Sequence, residues 1–236
     1  MLFQNNATSS MTRDAGLAAH MRQIFNYMTG GVALSGLVAW FTLRSPEALN
    51  IAIQGQMFLM IAWFALGFFF HKIAFSTQPA TALGMFALYS ALTGFMLAPL
   101  GLMYAKADIT LAFFSASGVF LASSLYGYMT GKSLQGLGSF LTVGGMGLMA
   151  FAVVLIVWSI FGAPPQGLSL FFSLLVVPFV TIAIAFKTNQ IRETYHMYGG
   201  NELTASRIAI LSALSFYTDF VVLFIHILNI IGASRR

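Results

Sequence analysis

Residues 137–161 read LGSFLTVGGMGLMAFAVVLIVWSIF, and none of them carries a charge. A helix of that length reaches about 37 Å, more than the roughly 30 Å of hydrocarbon in a bilayer. The run stops at Gly162-Ala163-Pro164-Pro165, a strong helix breaker. Comparable apolar runs recur outward in both directions, over residues 24–43, 51–70, 82–104 and 109–128 before it and 168–186 and 208–231 after it. Seven such runs predict an all-α membrane protein of about seven transmembrane helices, with a re-entrant last segment as the variant of that count. A membrane β-barrel would show short alternating segments with a polar lumen face instead.

Composition agrees. The 236 residues are 58% hydrophobic and only 7% charged, against roughly 25% charged in a soluble domain. The net charge of +5 rests on scattered residues near the run ends, which suits headgroup contact and orientation. No dense basic patch is present, so nucleic acid is not an expected partner; the lipid bilayer is. Without cysteine there is no disulfide or thiol chemistry. The domain reading is a polar tail over residues 1–22, disordered or interfacial, followed by a single helical bundle over 23–236. The tail lacks the apolar core of a signal peptide.

Lys and Arg in short loops orient such a chain. Arg13, Arg22, Lys72, Lys132, Lys187, Arg192 and Arg207 fall on one side, and Arg44, Lys106, Arg235 and Arg236 on the other. The larger set predicts a cytoplasmic N-terminus; Arg235 and Arg236 argue the other way for the last helix. Pro46 disfavours helix at Ser45, and Pro99 and Pro178 should kink their helices. Ser90, Gly94 and Ala98, and Gly138 and Thr142, recur at the four-residue spacing that lets helices approach closely in lipid. The thirteen methionines read as flexible gap-fillers.

No phosphate loop, dinucleotide fingerprint or nucleophile elbow occurs. His20, His71, His196 and His226 lack metal-ligand spacing. The expectation is therefore a non-enzyme without a cofactor or bound metal. One residue stands out: Asp219, near the middle of the last apolar run. A carboxylate there costs roughly 2.5–3.5 kcal/mol on the insertion scale, while each large apolar neighbour returns only about 0.3–0.6 kcal/mol. At 100° per residue Ser212, Ser215, Asp219, His226 and Asn229 share an arc of roughly 100°. That stripe is read either as polar groups satisfied by neighbouring helices or as an ion or proton path. Lys187, at the end of the sixth run, is either a lysine snorkelling to the interface or the partner of Asp219. A lone carboxylate out of water tends to take up a proton, and an ammonium beside it holds it ionised.

Three stretches carry a resemblance: Ser124-Leu125-Tyr126-Gly127-Tyr128 followed by Gly138-Ser139-Phe140-Leu141, Ala213-Leu214-Ser215-Phe216-Tyr217-Thr218-Asp219-Phe220, and Phe25-Asn26-Tyr27-Met28. In order and spacing they resemble the Bax inhibitor one family, over about residues 23–232. The resemblance implies six helices wrapped around a central C-terminal helix, a bacterial inner-membrane location and a pH-sensitive calcium leak. In that family two aspartates on the sixth and seventh helices share a proton and gate the path, and Asp219 matches the seventh-helix aspartate. The sixth-helix motif, usually tyrosine-aspartate-threonine-glutamine, here reads Phe186-Lys187-Thr188-Asn189, and the family's aspartate in the loop after the fourth helix appears as Ser133. Two close carboxylates cannot both ionise, which makes a proton switch; a lysine–aspartate pair has no such frustration. The ion path and its gating fall to Asp219, Lys187, Ser215, Ser212 and His226. The competing reading is a non-conducting scaffold or modulator of a membrane protease, with residues 1–22 and 187–207 as contact surfaces. A proton-coupled transporter ranks last, since too few titratable groups stand in adjacent runs.

Overall fold

A computed structural model describes residues 2–162, 165–198 and 202–235. It is built of helices, with no strand among the described residues. In chain order they are α1 (Leu2–Arg44), α2 (Pro46–Gln54), α3 (Gln56–Ser76), α4 (Pro79–Leu97), α5 (Leu100–Met103), α6 (Lys106–Met129), α7 (Gly138–Phe161), α8 (Gln166–Tyr198) and α9 (Glu202–Ser234). A 3₁₀ turn, Gln135–Leu137, leads into α7. Six helices are long and apolar enough to cross a membrane, and a seventh crossing is reached if the bent pair α2–α3 counts as one span. The protein is an all-α integral membrane protein.

The seven apolar runs therefore map onto helices, but four boundaries differ. The stretch read as a disordered or interfacial tail is helical from Leu2 and continuous with the first span. Its signal was present but masked by polar neighbours: Leu17, His20, Met21, Ile24 and Met28 are all buried, at the three- and four-residue steps of one helix face. The second run is broken. Ser45 is extended (φ −105°, ψ 109°) and caps α2, accepting a hydrogen bond from the Ala48 amide, and Pro46 takes the first helical position, where its missing N–H costs nothing. Residues expected as loop thus form α2, and the helix then bends by 74° at Gly55. The polar stretch after residue 187 continues α8 to Tyr198. The last run is one unbroken helix, α9, and not a re-entrant segment.

Proline behaves as expected at Ser45 and at Pro99, where α4 ends and only the one-turn α5 follows. Pro178 lies inside α8, which continues past it. Of the breaker after α7, Ala163 and Pro164 lie outside the described residues, as do Arg236 and the side chains of Arg13, His71 and His196.

The chain divides into two compact units. The first comprises residues 1–103 and 195–217, the second residues 104–194 and 218–236. In the first, Ser90 and Gly94 of α4 and Ala98 just after it are buried. A methyl group on Gly94 would overlap the Ser35 carbonyl of α1, so these backbones touch. In the second, Gly127 of α6 stands in the same relation to the Ala185 carbonyl of α8. Helix α7 differs: Val143, Met146, Val153, Val157 and Trp158 are exposed, the pattern of a lipid-facing helix. Helix α9 contributes to both units and has the largest buried share of any candidate span.

Candidate functional site

Within the second unit, α8 and α9 are joined by three polar cross-links. Helix α8 does not stop at Phe186, so Lys187 lies in the helix interior about three turns before its end. Its Nζ donates to both carboxylate oxygens of Asp219, at 2.9 Å to Oδ1 and 2.8 Å to Oδ2. The Asp219 side chain is only 12% exposed and that of Lys187 34%, so the stem runs inward and the ammonium is spent on the carboxylate. The expected pairing is present, and the snorkelling reading does not hold. Electrostatically the site is a closed neutral pair: its acid has a fixed cation instead of a second carboxylate to share a proton with.

Seven residues on, about 10 Å along the helix axis, His226 Nδ1 lies 2.9 Å from Ser173 Oγ. The Ser173 hydroxyl already donates to the Ser169 carbonyl at 3.0 Å. A hydroxyl has a single proton to give, so the imidazole tautomer sets which atom donates at this contact. The ring also packs edge-on against Phe172, with centroids 5.3 Å apart. Asn229 Nδ2 donates to Ser169 Oγ at 2.9 Å. Between the ion pair and this second cluster lie the buried side chains of Val176, Val180 and Ile184 on α8 and Leu223 on α9. The seam thus has a charged end, an apolar middle and a neutral polar end.

Of the five residues proposed for an ion path, the structure joins Lys187 to Asp219 and ties His226 to Ser173. Ser212 and Ser215 belong to the first unit, are half-buried and make no side-chain hydrogen bond among the described residues. Asn189 and Arg192 were missed as structural anchors. Asn189, 1% exposed, accepts from the Leu134 amide at 2.9 Å and donates to the Gly127 and Lys132 carbonyls at 3.4 and 3.2 Å. Arg192 Nη1 donates to the Tyr128 carbonyl at 3.0 Å and to that of Thr130. Thr188 meets Ser124 at 3.3 Å. The stretch that carries Lys187 therefore satisfies the last carbonyls of α6 and shapes the loop after it, which fixes where the lysine stands. Ser169 and Ser173 were legible: with Lys187 they share one face of α8 at four- and fourteen-residue steps. At the far end, Arg235 pairs with Asp108 in the first turn of α6 at 2.7 Å. This gives one of the two arginines that opposed the orientation rule a local counter-ion.

The first unit holds its own polar knot. Tyr217, fully buried, has its hydroxyl 2.6 Å from Ser35 Oγ. Ser35 Oγ in turn lies 2.8 Å from the Ser90 carbonyl and 2.9 Å from that of Gly31. Either hydroxyl can donate across this contact, and the Thr93 and Ser90 side chains also hydrogen-bond the Tyr217 hydroxyl. Phe86 and Tyr89 meet the Tyr217 ring edge-on at 5.5 and 6.0 Å. Nearby, Trp63 Nε1 donates to Thr93 Oγ1 at 2.9 Å. Among the described residues no group of three or more His, Asp or Glu is placed to hold a metal ion.

The family model described as "Inhibitor of apoptosis-promoting Bax1" matches residues 17–236. The chain is 31% identical over 231 residues to protein RP147 of Rickettsia prowazekii, covering 97% of this chain and 95% of that protein. It is 30% identical over 226 residues to the inner membrane protein YbhL of Escherichia coli, covering 94% of each. A membrane protein of Streptococcus pyogenes matches at 29% identity over 226 residues, covering 94% of this chain and 95% of that protein. The match runs through the Lys187 stretch and the whole of α9, and on it the chain belongs to the Bax inhibitor one family.

Proposed function

We propose that the chain forms a Bax-inhibitor-type cation pathway along the α8–α9 seam, with the Lys187–Asp219 pair as its closing group. The observation that carries this reading is the double hydrogen bond of one ammonium to a buried carboxylate inside an apolar bundle. Intramembrane carboxylates in such positions mark ion routes. A calcium ion reaching Asp219 must first displace the ammonium, and the fixed positive charge repels it. Conduction is therefore low, and it is insensitive to pH between 6 and 8 because no proton is shared at the pair. The N-terminus is cytoplasmic and the membrane is the bacterial inner membrane, in keeping with the arginine and lysine distribution and the printed name of the Escherichia coli relative. The role is non-enzymatic. The test is calcium influx into dye-loaded liposomes at pH 6 and pH 8, with Asp219→Asn beside the wild type. Small influx equal at both pH values and altered by Asp219→Asn supports the pathway; influx no greater than in empty liposomes overturns it.

The ammonium on Asp219 also favours a second reading, a non-conducting scaffold that contacts a membrane protease or another membrane protein. Residues 1–22 and 187–207 are its contact surfaces. Crosslinking in native membranes followed by mass spectrometry recovers a partner if this reading holds; recovery of the chain alone, with changes to both surfaces silent, overturns it.

A further inference from the structure

We infer that α2 is not half of a broken span but an amphipathic helix lying in the headgroup layer, where it anchors the first unit to the phospholipid surface. Helix α3 has 21 residues, a length of about 31 Å, which spans the roughly 30 Å of hydrocarbon without α2 when Lys72 near its end snorkels to the interface. The 74° bend between α2 and α3 then lays α2 close to the membrane plane. Gly55 makes that bend: its amide donates to the Ile51 carbonyl at 2.8 Å, and a side chain there would crowd the same carbonyl.

Polarity selects this placement over a re-entrant one. Glu47, Asn50 and Gln54 are exposed and fall within an arc of about 60° at 100° per residue. Asn50 and Gln54 bond only to each other, at 3.0 Å. Placed in hydrocarbon, that stripe would present a carboxylate and two amides to lipid, and the carboxylate alone is heavily penalised. Placed in water, α2 would leave Ile51 and Ile53, 61% and 48% exposed, with nothing apolar to cover them. These two isoleucines flank the polar stripe on either side, and Ala52, opposite it, is fully buried in the protein. This is the layout of an in-plane helix: polar stripe to water, flanks to the acyl boundary. The end of α1 agrees, since Arg44 stacks on Trp40 at 3.7 Å. An interfacial tryptophan beside a guanidinium free to meet lipid phosphate marks the headgroup level.

Because the sequence has no cysteine, single substitutions Asn50→Cys, Gln54→Cys, Ile51→Cys and Ile53→Cys in the full chain take a spin label cleanly. Phe64→Cys in mid-α3 serves as the deep reference and Glu47→Cys as a further stripe position. The chain is reconstituted in vesicles of phosphatidylethanolamine and phosphatidylglycerol, and each label is read for collision with oxygen and with a water-soluble nickel chelate. The expected result is an oxygen-to-nickel ratio several-fold higher at 51 and 53 than at 47, 50 and 54, and below that at 64. Ratios at 50 and 54 equal to that at 64 would place α2 in hydrocarbon and overturn the inference. Equal nickel collision at all α2 positions would place it in bulk water and overturn it equally.

Discussion

Tyr217 and Asp219 stand two residues apart on α9, yet different physics holds them. Tyr217, in the first unit, is held by neutral hydroxyl hydrogen bonds with Ser35, Thr93 and Ser90, by ring contacts and by α1 and α4 backbones that touch at Ser35 and Gly94. Asp219, in the second unit, is fixed by a charge. In the Tyr217 knot the hydroxyls are satisfied by groups the helices already carry, chiefly carbonyls, so the knot stabilises by packing. In the second, one residue depends on one other, and removing either leaves a charge in a poorly solvated site. A buried ion pair need not stabilise a fold much, but breaking it is costly.

The largest expected effects fall on packing in both units alike. Gly94→Val and Gly127→Val each drive a side chain into a neighbouring helix backbone that cannot rotate away. Each should destabilise by about 3 kcal/mol, the upper part of the overpacking range, seen as loss of folded protein in detergent. If Gly127→Val alone is tolerated, the second unit is the looser one. Next comes Lys187→Met, which leaves Asp219 without its counter-ion. It should cost about 3 kcal/mol, the lower end for a buried pair because the lysine is one-third exposed, while Lys187→Arg should lose far less. Tyr217→Phe should cost about 1 kcal/mol, the scale of a neutral hydrogen bond, since Ser35 keeps its carbonyls. A Tyr217→Phe loss equal to that of Lys187→Met would erase the contrast between the units. Ser212→Ala and Ser215→Ala should each fall within about 0.5 kcal/mol of the wild type and leave calcium flux unchanged; a larger change would return these hydroxyls to the ion path.

Much of this was legible in the sequence because lipid simplifies the code: a long run without charge has few options other than a helix. The runs, the Pro99 break and the close approach at Ser90, Gly94 and Ala98 follow from that. Asp219 was legible by cost, and its pairing with Lys187 by position, since Lys187 stands where the family resemblance places the second carboxylate. The misses share a cause. Residues 2–22 and 187–198 are helical but polar, so apolar-run counting passed over them, although the buried face at Leu17, Met21 and Ile24 was already written at helical spacing. The bend at Gly55 depends on a backbone contact that no hydropathy profile encodes. Asn189 and Arg192 act on main-chain carbonyls of α6 and its loop, and sequence spacing does not say which distant carbonyls need a donor. Ser212 and Ser215 lie on the predicted arc, but sharing an arc places residues on one face of a helix without supplying a partner for each.

Lys187 holds Asp219, and a double-mutant cycle tests that dependence. Lys187→Met, Asp219→Asn and the double variant are unfolded reversibly in mixed micelles and compared with the wild type. The prediction is a coupling of about 2 kcal/mol, within the range for residues in one ion pair, with the double variant more stable than the sum of the single losses implies. Additivity to within about 0.3 kcal/mol would show that Lys187 and Asp219 do not depend on each other, and would contradict the ion pair as the closing group of the site.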